Sequence, residues 1–282
     1  MNLALDRSPV TVVILLAWLA AAAWTGLLSP STASLADHGA AVGIFLPEEP
    51  WRLLSNTFLH GGLLHLLMNA MSLTMVAPMI EATLGGTRFA LLYVVTGIAG
   101  AAAGVLSNHG FGVLIGGSGA VFGMFGAMVA LLSRSGRGRL DFLRYHGPRS
   151  IVTLIVANLA IGFMIPHISN GAHIGGLVAG FVMVWCFFDP ARDRHRVHAL
   201  AVRLGWIAAL AVLLWFAVRP VLSIEWSMRE ALLHPDARTR SRHEARLEAL
   251  GYDLDSELAA MRDLMPKLLG ESGRRFLRRI QR

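Results

Sequence analysis

Charge is scarce in this 282-residue chain: only 15% of its residues are Asp, Glu, Lys or Arg, where a soluble domain carries about 25%. That deficit argues against an ordinary water-soluble globule and points to a bilayer. Lysine is nearly absent. Lys267 is the one example, and arginine supplies the rest of the positive charge. There is a single cysteine, Cys186, which excludes an internal disulfide framework. It lies in an apolar run and reads as a small buried core residue. The sequence has no Walker A loop, no dinucleotide fingerprint and no tandem repeat of fixed period, which argues against nucleotide-binding and solenoid classes.

What is present is apolar. Hydrophobic residues make up 55% of the chain and the mean hydropathy is +0.56. A spanning helix needs roughly 17–25 mostly apolar residues. Seven segments are candidates: 9–28, 57–80, 89–106, 118–132, 151–165, 172–188 and 204–218. Arg203 interrupts the start of the last one. The 29 glycines fall mostly inside these segments, where they suit close helix packing. The first segment has a second reading as a signal peptide, since Arg7 precedes it and residues 20–23 are small, but its apolar run is long for that role.

The net charge of +7 does not suggest nucleic acid, because the arginines gather at the ends of apolar runs. That pattern suits anionic lipid and topology control. With the N-terminus in the cytoplasm, the cytoplasmic side receives Arg7, Arg88, Arg134, Arg137, Arg139, Arg144, Arg149, Arg192, Arg194, Arg196 and Arg203. The other side receives Arg52 together with Asp37, Glu48 and Glu49. Seven spans then place the tail, 219–282, outside. It reads as short amphipathic helices near 241–250 and 255–264. Arginines 274, 275, 278, 279 and 282 follow, interleaved with Phe276, Leu277 and Ile280, which fits either a helix lying on a membrane surface or a solvated terminus.

Polar groups inside spanning segments are costly and usually functional. Three clusters occur. The first holds His60, His65 and Asn69. At about 100° per residue, His65 and Asn69 share one helix face, whereas His60 and His65 diverge by about 140° if both are helical. That spacing does not converge on a metal ion. The second is Gly116, Gly117, Ser118 and Gly119. Ser118 opens the fourth span, where unpaired backbone N–H groups can hold a developing oxyanion. A serine there is also an ordinary helix cap. The third surrounds His173, at the start of the sixth span. Gly176 and Gly180 form a GxxxG pattern, as do Gly119 and Gly123. If those faces meet, Ser118 and His173 lie at one depth and can form a nucleophile–base pair. The nearest acids in the core helices, Glu81 and Asp189, lie at the opposite ends. Asp189 is roughly 24 Å from His173 along the helix, so the pattern argues for a dyad and not a triad.

These residues resemble the rhomboid family of intramembrane serine proteases. The likeness runs over about residues 51–189: Trp51 and Arg52 in the first outer loop, the His65/Asn69 pair, the GxSG motif at 116–119, and AHxxGxxxG from Ala172 to Gly180. The resemblance implies that Ser118 is the nucleophile and His173 its base, with Asn69, His65 and the Ser118 N–H as oxyanion donors. It gives His60, Gly116, Gly117, Gly119, Gly176 and Gly180 supporting roles, and Phe122 the place of a tyrosine that stacks on the catalytic histidine in some members. Trp51 and Arg52 belong to a partly membrane-embedded loop, and Glu81 matches a structural carboxylate. The implied substrates are single-pass transmembrane proteins cut near their outer helix end. No cofactor, metal or nucleic acid is implied.

The expected architecture is therefore an all-α membrane protein with a rhomboid-like helical bundle. It comprises a short cytoplasmic N-terminus (1–8), a six-helix catalytic core (9–190), a basic loop with a seventh span (191–218) and an amphipathic tail (219–282). A multi-pass protein of a bacterial inner membrane fits this pattern. The competing readings are a catalytically inactive relative that binds membrane clients, and a polytopic transporter or channel. The position of the charges at helix ends disfavours the transporter.

Overall fold

The computed structural model describes residues 4–108, 112–134, 146–165, 168–187 and 237–251, with single positions 215, 219, 227, 231, 253 and 271. Six apolar helices form the body: α1 (Pro9–Thr25), α4 (Leu63–Leu84), α5 (Gly86–Asn108), α6 (Ser118–Arg134), α7 (His146–Met164) and α8 (Asn170–Phe187). Two short helices, α2 (Thr32–Asp37) and α3 (Arg52–Ser55), lie in the loop between α1 and α4. Helix α9 (Ala237–Ala249) lies in the tail. Among the described residues there is no strand, only an isolated bridge between Ala41 and Leu114.

Leu63–Leu84, Gly86–Ser107 and Asn170–Phe187 are long and apolar enough to cross a membrane, and Pro9–Thr25, Ser118–Ser133 and Ile151–Met164 are shorter apolar helices. The expected segments 9–28 to 172–188 each overlap one of these six, although 57–80 begins six residues before α4, in the short turn Asn56–Phe58 that precedes it. The seventh, 204–218, and the tail helix at 255–264 lie outside the described residues, apart from position 215. The helix expected near 241–250 is present as α9.

Helix α6 is central. All ten residues at 119–128 are buried, so its whole circumference meets protein. Its 17 residues span about 26 Å, less than a hydrocarbon core of about 30 Å. Ser118 opens this short helix in the middle of the bundle. Helices α5 and α8 flank α6 most intimately, while α7 packs at the edge. The outward face of α4 exposes Leu64, Leu67, Met71, Met75 and Met79, as a lipid-facing side should.

Cys186 departs from the expectation of burial: it is exposed, near the end of α8. In a spanning helix the outward face is apolar too, so an apolar run does not imply an interior position.

Glu81 ties α4 to α1 at the end remote from Ser118. Its carboxylate is buried and accepts the Val10 and Thr11 N–H groups at 2.9 Å each and the Thr11 hydroxyl at 2.7 Å. These N–H groups belong to the first turn of α1, which lacks intrahelical acceptors and carries the positive end of the helix dipole. At the Ser118 end, the loop between α1 and α4 is organised by Arg52. This arginine is 2% exposed and donates from Nη1 to the carbonyls of Ala36 (2.6 Å) and Ala40 (3.0 Å). It pairs with Glu49 and lies 5.0 Å from the ring centroids of both Phe45 and Trp51. The tail returns to the same loop, where the Glu271 N–H donates to Asp37 Oδ2 at 3.2 Å.

Candidate active site

Helices α4, α6 and α8 all begin at the same end of the bundle, so residues from their first turns meet there. His173 Nε2 stands 2.9 Å from Ser118 Oγ. With the imidazole neutral and Nδ1 protonated, the Ser118 hydroxyl donates to Nε2. Helix packing creates this contact. A side chain at Gly176 would collide with the Gly119 carbonyl, and one at Gly180 with the Gly123 carbonyl. Backbones that touch through glycine bring two first turns together at one depth. Gly119 also rests 3.5 Å from both the Ala172 carbonyl oxygen and Gly100 Cα, measured from where its Cβ would be.

The imidazole is held by stacking. The Phe122 and His173 rings are 4.1 Å apart at an angle of 5°. Nδ1 of His173 is buried and has no hydrogen-bond partner among the described residues. Among the described residues no carboxylate is bonded to it, and the flat face of Phe122 is what restricts the ring.

The segment before Ser118 lies against two polar side chains of α4. Gly116 has φ +115°, a conformation that only glycine adopts without strain. Its N–H donates to the Asn56 carbonyl at 2.9 Å, and Leu114 exchanges two backbone bonds with Ala41. The point where a Gly116 Cβ would lie is 2.9 Å from His65 Nε2 and 3.7 Å from Asn69 Nδ2. Both side chains come from one face of α4, one turn apart. The Gly61 N–H donates to His65 Nδ1 at 3.3 Å, which leaves Nε2 as the N–H donor facing the glycine loop. Asn69 is 6% exposed, and its Nδ2 has no partner among the described residues. An orphaned buried donor costs about 1–3 kcal/mol, and this one faces the glycine loop.

His60 stands apart from the helical premise. It precedes α4, which starts at Leu63, so the 100° rule does not apply to it. Its ring lies 5.2 Å from that of His65, and its Nδ1–H donates to the Phe58 carbonyl at 3.2 Å. Among the described residues, no group of three or more His, Cys, Asp or Glu side chains is placed to hold a metal ion.

Sequence reasoning passed over two features. One is a second seam of small residues between α5 and α8, where Gly175 lies on Ala103, the Ala99 carbonyl and Gly100, Gly171 lies on Ser107 and the Ala103 carbonyl, and Gly104 lies on Ala172. It repeats the GxxxG spacing and was legible in the same way as the first. The other is Trp18 on α1, which is fully buried beneath the Gly117 position. An apolar helix gives no sign that one of its tryptophans reaches the site.

The family model described as Rhomboid domain matches residues 47–190, about half of the chain. The chain belongs to the rhomboid family. RHOMBOID-like protein 5 of Arabidopsis thaliana is 37% identical over 159 residues, covering 56% of this chain and 50% of that protein. Rhomboid protease GluP of Bacillus subtilis is 39% identical over 157 residues, 54% of this chain and 29% of that protein. Inactive RHOMBOID-like protein 8 of Arabidopsis thaliana is 35% identical over 155 residues, 54% of this chain and 43% of that protein. The chain thus spans about half the length, or less, of these rhomboid relatives. The matched segment includes α4 to α8 and stops short of α1, which packs against the site from outside it.

Proposed function

We propose that this rhomboid chain is a serine endopeptidase that cleaves transmembrane segments of membrane proteins by a Ser–His dyad. The observation that carries the reading is the 2.9 Å contact between His173 Nε2 and Ser118 Oγ, at the start of a short central helix.

In this mechanism Ser118 Oγ attacks the scissile carbonyl as its proton passes to His173 Nε2. The resulting oxyanion takes hydrogen bonds from Asn69 Nδ2, His65 Nε2–H and the Ser118 N–H. His173 then gives the proton to the leaving amine, and an acyl-enzyme remains on Ser118. Water attacks the ester with His173 as base, which regenerates the hydroxyl and releases the new carboxyl end. Donors held rigidly around the oxyanion contribute because they need no reorganisation as charge develops.

The substrate is a single-pass transmembrane protein cut near the end of its helix that faces the site. Helical carbonyls are already hydrogen-bonded, so the segment must unwind before attack, and helix-breaking residues lower that cost. The distribution of arginine supports a multi-pass protein of a bacterial inner membrane with its N-terminus in the cytoplasm and the site at the outer face. Segment 204–218 is proposed as a seventh span.

A second reading, an inactive rhomboid-like protein that binds clients, has the similarity to Inactive RHOMBOID-like protein 8 in its favour. Labelling with a serine-reactive fluorophosphonate separates the two. The protein is expected to label, and Ser118→Ala to abolish labelling. Equal labelling of the variant refutes the protease assignment.

A further inference from the structure

The glycine loop before Ser118 is clamped on one side by backbone bonds: Ala41 to Leu114 in both directions, and Gly116 N–H to the Asn56 carbonyl. On its other side stands a side chain. Trp18 of α1 is 0% exposed. Its six-membered ring occupies the space that any side chain at Gly117 would need, with Cε2 and Cη2 each 2.8 Å from where that Cβ would be. The same ring meets His60 edge-on at 5.0 Å between centroids, and His60 in turn abuts His65.

Trp18 is itself fixed at its polar end. Nε1–H donates to the Tyr93 hydroxyl at 2.9 Å, and that hydroxyl donates to the Thr57 carbonyl at 3.2 Å. Thr57 sits three residues before His60, in the turn that leads into α4. A single indole therefore touches the loop that carries the nucleophile and the histidine behind His65. Through Tyr93 it also reaches the turn that aims both. A buried tryptophan N–H needs a partner, and this partner locks the ring's rotation, so the face under Gly117 cannot drift.

We propose that Trp18 is a positioning residue for the oxyanion site, acting through Gly117 and His60 to hold the glycine loop against His65 and Asn69. Helix α1 then supplies part of the site's geometry, although it lies ahead of the segment matched as the Rhomboid domain. The catalytic consequence rests on the protease reading above, but the positional one does not.

The test uses Trp18→Phe, which keeps an aromatic ring but loses the N–H and part of the area under Gly117, and Tyr93→Phe, which removes the hydroxyl that accepts from Trp18 and donates to Thr57 while leaving the indole in place. Hydrogen exchange of the full chain in detergent micelles comes first. Both variants are expected to speed exchange across 112–118 by about 10-fold while leaving α7 unchanged. Unchanged exchange in that loop overturns the proposal, whether or not the protein is an enzyme.

Turnover of a transmembrane substrate is the second readout. Trp18→Phe is expected to lower kcat by about 10-fold or more with KM within about twofold. In an Asn69→Ala background, where the donor set is already broken, the same change is expected to cost under about threefold. Equal losses in both backgrounds mark a general stability effect and overturn the positioning role. An unsubstituted protein that never captures the fluorophosphonate condemns the protease reading instead, and the exchange result still decides the positional claim.

Discussion

Gly176 lies directly on the carbonyl of Gly119, with no room between the two backbones for a methyl group. Four residues on, Gly180 meets the Gly123 carbonyl in the same way. This double contact sets how near α8 comes to α6, and with it the reach from the His173 ring to the Ser118 hydroxyl.

Gly176→Leu should therefore abolish activity and markedly lower thermal stability in detergent. Gly176→Ala should destabilise by about 1–3 kcal/mol, as overpacking of a close interface does. Thermal unfolding together with turnover checks both. A fully active leucine variant at wild-type stability would contradict the packing described.

Asn69→Ala should leave the fold intact, because Nδ2 has no partner among the described residues to lose. Turnover should nevertheless fall by about 10²–10³, the usual value of one oxyanion donor. Steady-state kinetics on a transmembrane substrate decides the matter. An unchanged kcat removes Asn69 from that role.

The tail should be found at the same end as the site. Helix α8 begins there at Asn170 and runs 18 residues, about 27 Å, away from it. Yet the Glu271 N–H reaches Asp37 in the loop between α1 and α4, an arrangement that suits the seventh span proposed at 204–218. In a chain with Cys186→Ser, the pair Asp37→Cys and Glu271→Cys should cross-link on mild oxidation. Failure to cross-link, with residue 271 labelled from the cytoplasmic side in intact cells, would reverse the assignment.

Much of the architecture was legible because a bilayer simplifies the code. Helix length, apolar run and polar exception all carry meaning when backbone groups must pair internally. The six apolar helices and the three polar clusters followed from that. Cys186 shows where the code fails. It separates membrane from water but not helix interior from lipid, since both are apolar. His60 shows another limit, for its divergence from His65 assumed a helix that begins three residues later, at Leu63.

The sequence by itself determined where the polar groups fall, because Ser118 after two glycines and His173 ahead of a GxxxG pattern stand out at the starts of apolar helices, where polar side chains are costly. Only the tertiary structure decided how they are held. Trp18 beneath Gly117, Phe122 flat against His173 and the Arg52 clamp on the outer loop are contacts between segments far apart in the chain. No local periodicity encodes such contacts, because they arise when the bundle closes and fills its own volume.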